Sequence, residues 1–219
     1  MHNIVQNLVD IQNKINSHLD EHKIDKVPKI IAVSKTFKIE KILPLIDHGH
    51  KHFGENKVQE AVDKLTEIKL SNPNIQLHLI GKLQTNKVKF ALKIFDYIHS
   101  VDSEKLAKKI SDEQIKINKK IKIFIQVNIG QEDQKSGTSV NELSSLISYC
   151  NKINLDVVGL MCIPPINEDP VIYFEKMKKL NEENKFNELS MGMSSDYLKA
   201  AMNNATYLRI GSSIFGQRY

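Results

Sequence analysis

Short apolar runs alternate with helix-patterned stretches from one end of this 219-residue chain to the other, and that alternation restricts the fold more than any single motif. Runs bounded by turn residues read as buried strands: Ile30 to Val33, His52 to Asn56, Gln76 to Ile80, Tyr97 to Val101, Lys122 to Ile129, Leu155 to Met161, Leu189 to Gly192 and Tyr207 to Ile210. Between them lie helical patterns, from about Ile39 to Asp47, Val58 to Leu70, Lys87 to Ile94, Ser103 through Ile110, Val140 to Cys150, Asp169 through Leu180 and Asp196 to Met202. Strands alternating with helices at this spacing form parallel βαβ units, and eight of them is the number that closes a barrel. The expected architecture is therefore α/β, a single (β/α)8 TIM barrel spanning residues 1–219. An additional N-terminal helix precedes it, with Ile4, Val5, Leu8, Ile11, Ile15 and Leu19 on its buried face. An open doubly wound sheet is the structural alternative.

Composition narrows the function classes. The formal net charge is +5, yet of the 31 basic residues only Arg209 and Arg218 are arginines, and the lysines are spread over many helices. A nucleic-acid binder is expected to cluster its basic residues on one face and to use arginine for phosphates and bases. The charge reads instead as a solvated lysine surface, with no nucleic-acid partner. No apolar run approaches the length of a membrane span and neither end resembles a targeting segment, so a cytoplasmic protein without membrane contact is expected. Cys150 and Cys162 read as buried thiols. His48, His50 and His52 have an H-x-H-x-H spacing, but Gly49 is placed to end a helix between them, and no metal site is expected. The methionines from Met161 to Met202 read as core filler.

In such barrels chemistry sits at the carboxyl ends of the strands, with phosphate groups beside strands seven and eight. Those ends carry Lys35, then Glu55 and Asn56, then Gly81 to Thr85, then Asn128, and finally the stretches SMGMSS and RIGSS. A lysine at the end of a buried strand either snorkels to water or, once desolvated, offers a neutral amine to a carbonyl. The glycines and serines at Gly192, Ser194, Gly211, Ser212 and Ser213 either mark turns or let backbone and hydroxyls cradle a phosphate. Arg209, two residues before Gly211, points to the barrel mouth or interior. There it needs either a ligand acceptor or an internal salt bridge, with Glu55 or Asp102 as candidates. Pyridoxal 5'-phosphate (PLP), with its phosphate, aldehyde and ring nitrogen, would use all three features.

The stretches IIAVSKTF, HFGENKVQE, HLIGKLQTNK, VNIGQEDQKSG, VVGLMCIPP, LSMGMSSD and RIGSSIFGQR run from residue 30 to residue 218. In them the chain resembles the PLP homeostasis protein family, whose fold is similar to the barrel domain of bacterial alanine racemase. The resemblance implies that Lys35 carries PLP as a Schiff base, that Ser194 with Gly211 and Ser212 holds the phosphate, and that Arg209 faces the pyridine nitrogen. Asn56 is implied close to the cofactor. Two positions depart from the family pattern: Lys82 stands where histidine or proline is more usual, and Asn204 where glycine is common.

An arginine at the ring nitrogen leaves the ring a weaker electron sink than a carboxylate does, because it accepts no proton. The chain stops three residues after Gly216, so no second domain is expected to supply an opposing base. A PLP-binding regulator or carrier without turnover is the leading expectation, monomeric and delivering to PLP-dependent apoenzymes. A PLP-dependent amino-acid racemase is the alternative.

Overall fold

The computed structural model describes residues 3–217, so that Arg218 lies outside the described residues. Helix α1 (Asn3–Glu21) leads, followed by β1 (Lys29–Val33), α2 (Ile39–Asp47), β2 (His52–Glu55), α3 (Val58–Ser71) and β3 (Gln76–Leu79). Then come α4 (Val88–Ile94), β4 (Tyr97–Val101), α5 (Glu104–Lys116), β5 (Lys122–Gln126), α6 (Val140–Lys152) and β6 (Asp156–Met161). The chain ends with α7 (Pro170–Glu183), β7 (Glu188–Ser190), α8 (Tyr197–Met202), β8 (Tyr207–Ile210) and α9 (Ser212–Phe215). Neighbouring strands pair in parallel in sequence order, and β1 closes on β8 with Lys29 opposite Tyr207 and Ala32 opposite Ile210. That closing pair excludes the open doubly wound sheet.

Local chemistry accounts for several boundaries. Ser103 and Ser139 cap α5 and α6 by accepting from the amides of Leu106 and Glu142, and Asp169 caps α7 ahead of Pro170. Strand β5 stops at Gln126, short of the expected Ile129, because Asn128 turns the chain back. Its side chain donates to Glu132 O at 2.9 Å and accepts from Glu132 N at 3.2 Å. Asn204 stands at φ 63, the left-handed position its side chain tolerates. The one-turn helix α9 and a 3-10 turn at Thr85–Lys87 have no periodic signal in the sequence.

The main core lies between the barrel wall and the helices. All six apolar residues expected on α1 are buried in it, each contributing about 1.5–3 kcal/mol. A second cluster fills the barrel: Ile31, Tyr97, Phe124, Met161 and Tyr207. Among them sit buried polar groups, Glu55, His78, His99, Ser190 and Arg209. Met161, Met177 and Met191 are buried as expected, whereas Met193 and Met202 are only partly buried. Among the described residues no helix is long and apolar enough to cross a membrane.

Candidate functional site

A cavity of about 310 Å³ opens at the carboxyl ends of the strands, within the size range of small-molecule sites. Lys35, Asn56, Ser194, Arg209, Gly211 and Ser212 all line it. Val33, Ile80, Ile163 and Met193 add apolar wall, and Ser195 adds a hydroxyl that the sequence did not single out.

Lys35 is half-buried two residues beyond β1, on a turn closed by Phe37 N donating to Ser34 O at 3.2 Å. A charged cluster holds that turn from below. Ser34 Oγ donates to Glu55 Oε1 at 2.6 Å. Lys64 Nζ lies 2.9 Å from the same carboxylate and donates to Ser34 O at 2.9 Å and Phe37 O at 3.2 Å. Thr36, at φ 68, donates its amide to Glu60. Burial pushes the Glu55 carboxyl up against the pull of Lys64. Glu60 is held low because hydrogen bonds from Thr36 and Lys64 outweigh its burial. Ser34, Glu60 and Lys64 escaped the sequence reading because Ser34 lies in the turn after β1 whereas Glu60 and Lys64 sit one helical turn apart on α3, and only the fold brings the two elements together.

Asn56 follows β2 directly, and the end of β3 passes so close that a Cβ at Gly81 would sit 2.3 Å from Asn56 O. That close approach is what requires glycine there.

At the opposite wall Ser194 Oγ accepts from the amides of Gly211 at 3.3 Å and Ser213 at 3.4 Å. Two amides converging on one oxygen are the donor set a phosphate oxygen uses. Gly192 lies outside the cavity lining and is required for its backbone: φ is +88, and a Cβ would sit 2.5 Å from Ala200 Cβ.

Arg209 is 4% exposed. Its Nη1 donates to Ser190 Oγ at 2.8 Å and its Nη2 to Cys162 O at 2.8 Å. The salt bridge with Glu55 or Asp102 is not formed, since Glu55 is taken up by Lys64 and Ser34 and Asp102 borders a separate hollow with Glu142. Burial pushes the Cys162 thiol up to about 12, so it stays neutral and supplies no counter-charge. The guanidinium thus rests on neutral acceptors at the floor of the cavity.

A neighbouring hollow of about 300 Å³ shares Asn56, Ile80 and Ile163 with the cavity and is lined by Lys82 and Lys135. Lys135 is tied to Glu132 at 2.5 Å and Pro164 O at 3.1 Å. A larger open groove of about 540 Å³ beside Thr85, Glu104 and Tyr149 contains none of the strand-end residues and lies outside the barrel. His48, His50 and His52 do not converge: His50 Nε2 is 2.9 Å from His52 O, while His52 turns to His78.

Residues 7–219 match the family described as alanine racemase, N-terminal domain. The pyridoxal phosphate homeostasis protein of Pasteurella multocida is 34% identical over 227 residues, covering 98% of this chain and 97% of that one. The structure of PipY from Synechococcus elongatus with PLP bound superposes with a TM-score of 0.80 at 32% identity, covering 92% of this chain and 100% of that one. An alanine racemase from Clostridium difficile gives a TM-score of 0.74 at 16% identity, over 100% of this chain and 57% of that one, a likeness of fold alone.

Proposed function

The chain belongs to the alanine racemase N-terminal domain family, and from that premise we propose that it is a PLP homeostasis protein that holds the cofactor covalently through Lys35 and passes it on without turnover. The observation that carries this reading is the common cavity of Lys35, Asn56, Ser194, Arg209, Gly211 and Ser212. Its chemistry fits the cofactor in three separate places. The amides of Gly211 and Ser213 already converge on an oxygen, as a phosphate requires. Lys35 lines the same cavity, and Arg209 presents only donors to it. When bound, PLP supplies an aldehyde that condenses with an amine and a ring that draws electrons from that linkage.

Each residue then has one task. Lys35 provides the amine and, by exchange with another amine, lets the cofactor leave. Ser194, Gly211 and Ser212 hold the phosphate end, and Asn56 borders the ring. Arg209 would offer the ring nitrogen a donor and take no proton from it, which would leave the ring a poor electron sink. Among the described residues that line the cavity, Lys35 and Arg209 are the titratable ones. A racemase needs a second proton donor and acceptor on the opposite face. In this reading the recipients are PLP-dependent apoenzymes, and the carrier is one domain acting as a cytoplasmic monomer.

The test is the visible absorption spectrum of the PLP-loaded protein beside Lys35→Ala, followed by borohydride reduction. Loss of the absorption band and of covalent capture in Lys35→Ala is expected; an unchanged band in both proteins would overturn the assignment. Sustained racemisation of single amino-acid enantiomers by the loaded protein would replace the carrier reading with the enzyme.

A further inference from the structure

A line of buried polar groups runs from Arg209 across the barrel. Ser190 Oγ, on β7, accepts from Arg209 and lies 2.9 Å from His99 Nδ1 on β4. His99 Nε2 is 3.0 Å from His78 Nδ1 on β3, and His78 Nε2 is 3.0 Å from His52 Nδ1 on β2. His99 stacks on Phe124 at 4.2 Å and His78 on Tyr97 at 4.3 Å, which fixes both ring planes. His78 and His99 are fully buried, while His52 is half-buried at the start of its strand.

The protons in this line have one consistent arrangement. Burial first, then the nearby His99 and Arg209 respectively, hold His78 and His99 well below their ordinary pKa, so both rings are neutral and each carries one N–H. Arginine only donates, so Ser190 Oγ must accept from it. If His99 also donated to Ser190, the hydroxyl proton would be buried without an acceptor among the described residues, a desolvation loss with no return. Ser190 therefore donates to His99 Nδ1. His99 is then the Nε2–H tautomer and donates to His78 Nδ1, and His78 is the Nε2–H tautomer and donates to His52 Nδ1. A hydroxyl that donates to a good acceptor becomes a better acceptor itself, because aligned hydrogen bonds polarise one another.

We infer that Ser190, His99, His78 and His52 are positioning residues for Arg209, a one-way hydrogen-bond relay that holds its guanidinium at the floor of the cavity in place of a carboxylate. The consequence for the cofactor rests on the proposed role of Arg209 at the PLP ring; the tautomers do not.

Histidine 15N NMR of the cofactor-free protein, assigned through His78→Gln and His99→Gln, tests the relay without PLP. Neutral Nε2–H tautomers for His78 and His99 are expected at neutral pH, with His99 turning into a tautomer mixture in Ser190→Ala. Nδ1–H or cationic rings would overturn the relay. PLP titration by fluorescence quenching then tests positioning: Ser190→Ala is expected to weaken binding about tenfold, the size of one charge-assisted hydrogen bond, and Ser190→Thr to restore it. Unchanged binding in Ser190→Ala alongside weakened binding in Arg209→Ala would overturn the positioning role. Unchanged binding in Arg209→Ala itself would instead sink the cofactor reading of Arg209, and the tautomers and their response to Ser190→Ala would then decide the relay alone.

Discussion

The ammonium of Lys64 lies 2.9 Å from the carboxylate of Glu55, with side-chain exposures of 10% and 0%, directly beneath the turn that carries Lys35. The pair connects α3 to β2, and through Ser34 O and Phe37 O it fixes the backbone on both sides of the lysine. The backbone turn that carries Lys35 is therefore held by a buried charge pair outside the cavity.

Removing one half of that pair leaves the other charge buried and uncompensated. Lys64→Ala is expected to destabilise the protein by about 3–5 kcal/mol at neutral pH. The deficit should shrink as pH falls, because the carboxyl of Glu55, already pushed upward by burial, then takes a proton. The double variant Glu55→Gln, Lys64→Met should recover most of the loss. Urea unfolding of the three proteins at two pH values checks this; a loss in Lys64→Ala that the double variant does not repair would show that the lysine acts only through its carbonyl contacts.

Ser194→Ala removes the oxygen on which two amides converge. Affinity for PLP is expected to fall about tenfold, while pyridoxal, which lacks the phosphate, binds within about twofold of before. Parallel fluorescence titrations with the two ligands decide it. Equal losses for both would mean that Ser194 only braces the loop.

Much of this site is legible because it depends on strand order. Ile30 to Val33 announces β1 by four consecutive apolar residues, and the strand end delivers Lys35 to the mouth whatever the exact register. The same holds for Ser194 after β7 and Gly211 after β8. What stayed hidden depends on how strands are offset across the barrel. His78 and His99 look like isolated histidines and His52 like the end of an H-x-H-x-H run, and only the pairing of Gly54 with His78 and the stagger of β4 bring the three into one line. The protein partners of Arg209 are hidden for a related reason. The sequence leaves a ligand acceptor and an internal salt bridge both open for this cation, and the fold supplies a hydroxyl and a carbonyl where the salt bridge would have put a carboxylate. The run from Lys122 read as a longer strand because periodicity does not register the side-chain turn that Asn128 makes with Glu132.

Gly192 and Gly49 separate two uses of glycine. Both adopt left-handed backbone, at φ +88 and +89, but a Cβ at Gly192 would meet Ala200 Cβ at 2.5 Å while one at Gly49 would meet nothing within 4 Å. Gly192→Ala is expected to cost about 2–4 kcal/mol from backbone strain and overpacking together, and Gly49→Ala about 1 kcal/mol from strain alone. Thermal or urea unfolding of the two variants measures the difference, and equal losses would refute the packing contribution.

The buried histidines also set the acid limit of the fold. Burial holds His50 and His52 down to about 4, and it holds His78 and His99 well below their ordinary value of 6.5. The unfolded chain takes up these protons as pH falls through 6.5 and the folded chain does not. The stability concerned is therefore complete above that value and lost progressively towards the lower folded pKa values. His78 and His99, both fully buried, alone contribute a slope of about 3 kcal/mol per pH unit once the unfolded state is almost fully protonated, below about pH 5.5. Glu55 works in the opposite direction, since a carboxyl raised above its ordinary value favours the folded state as pH falls. One carboxyl against four histidines leaves the net loss on the acid side. Urea midpoints of the cofactor-free protein should fall steeply between pH 6 and pH 5, and His78→Gln, which removes the central titrating ring, should flatten that fall whatever it costs at neutral pH. Midpoints that stay constant over this range would mean that the rings are protonated inside the folded barrel, and the hydrogen-bonded line from Arg209 to His52 would then have to carry charge.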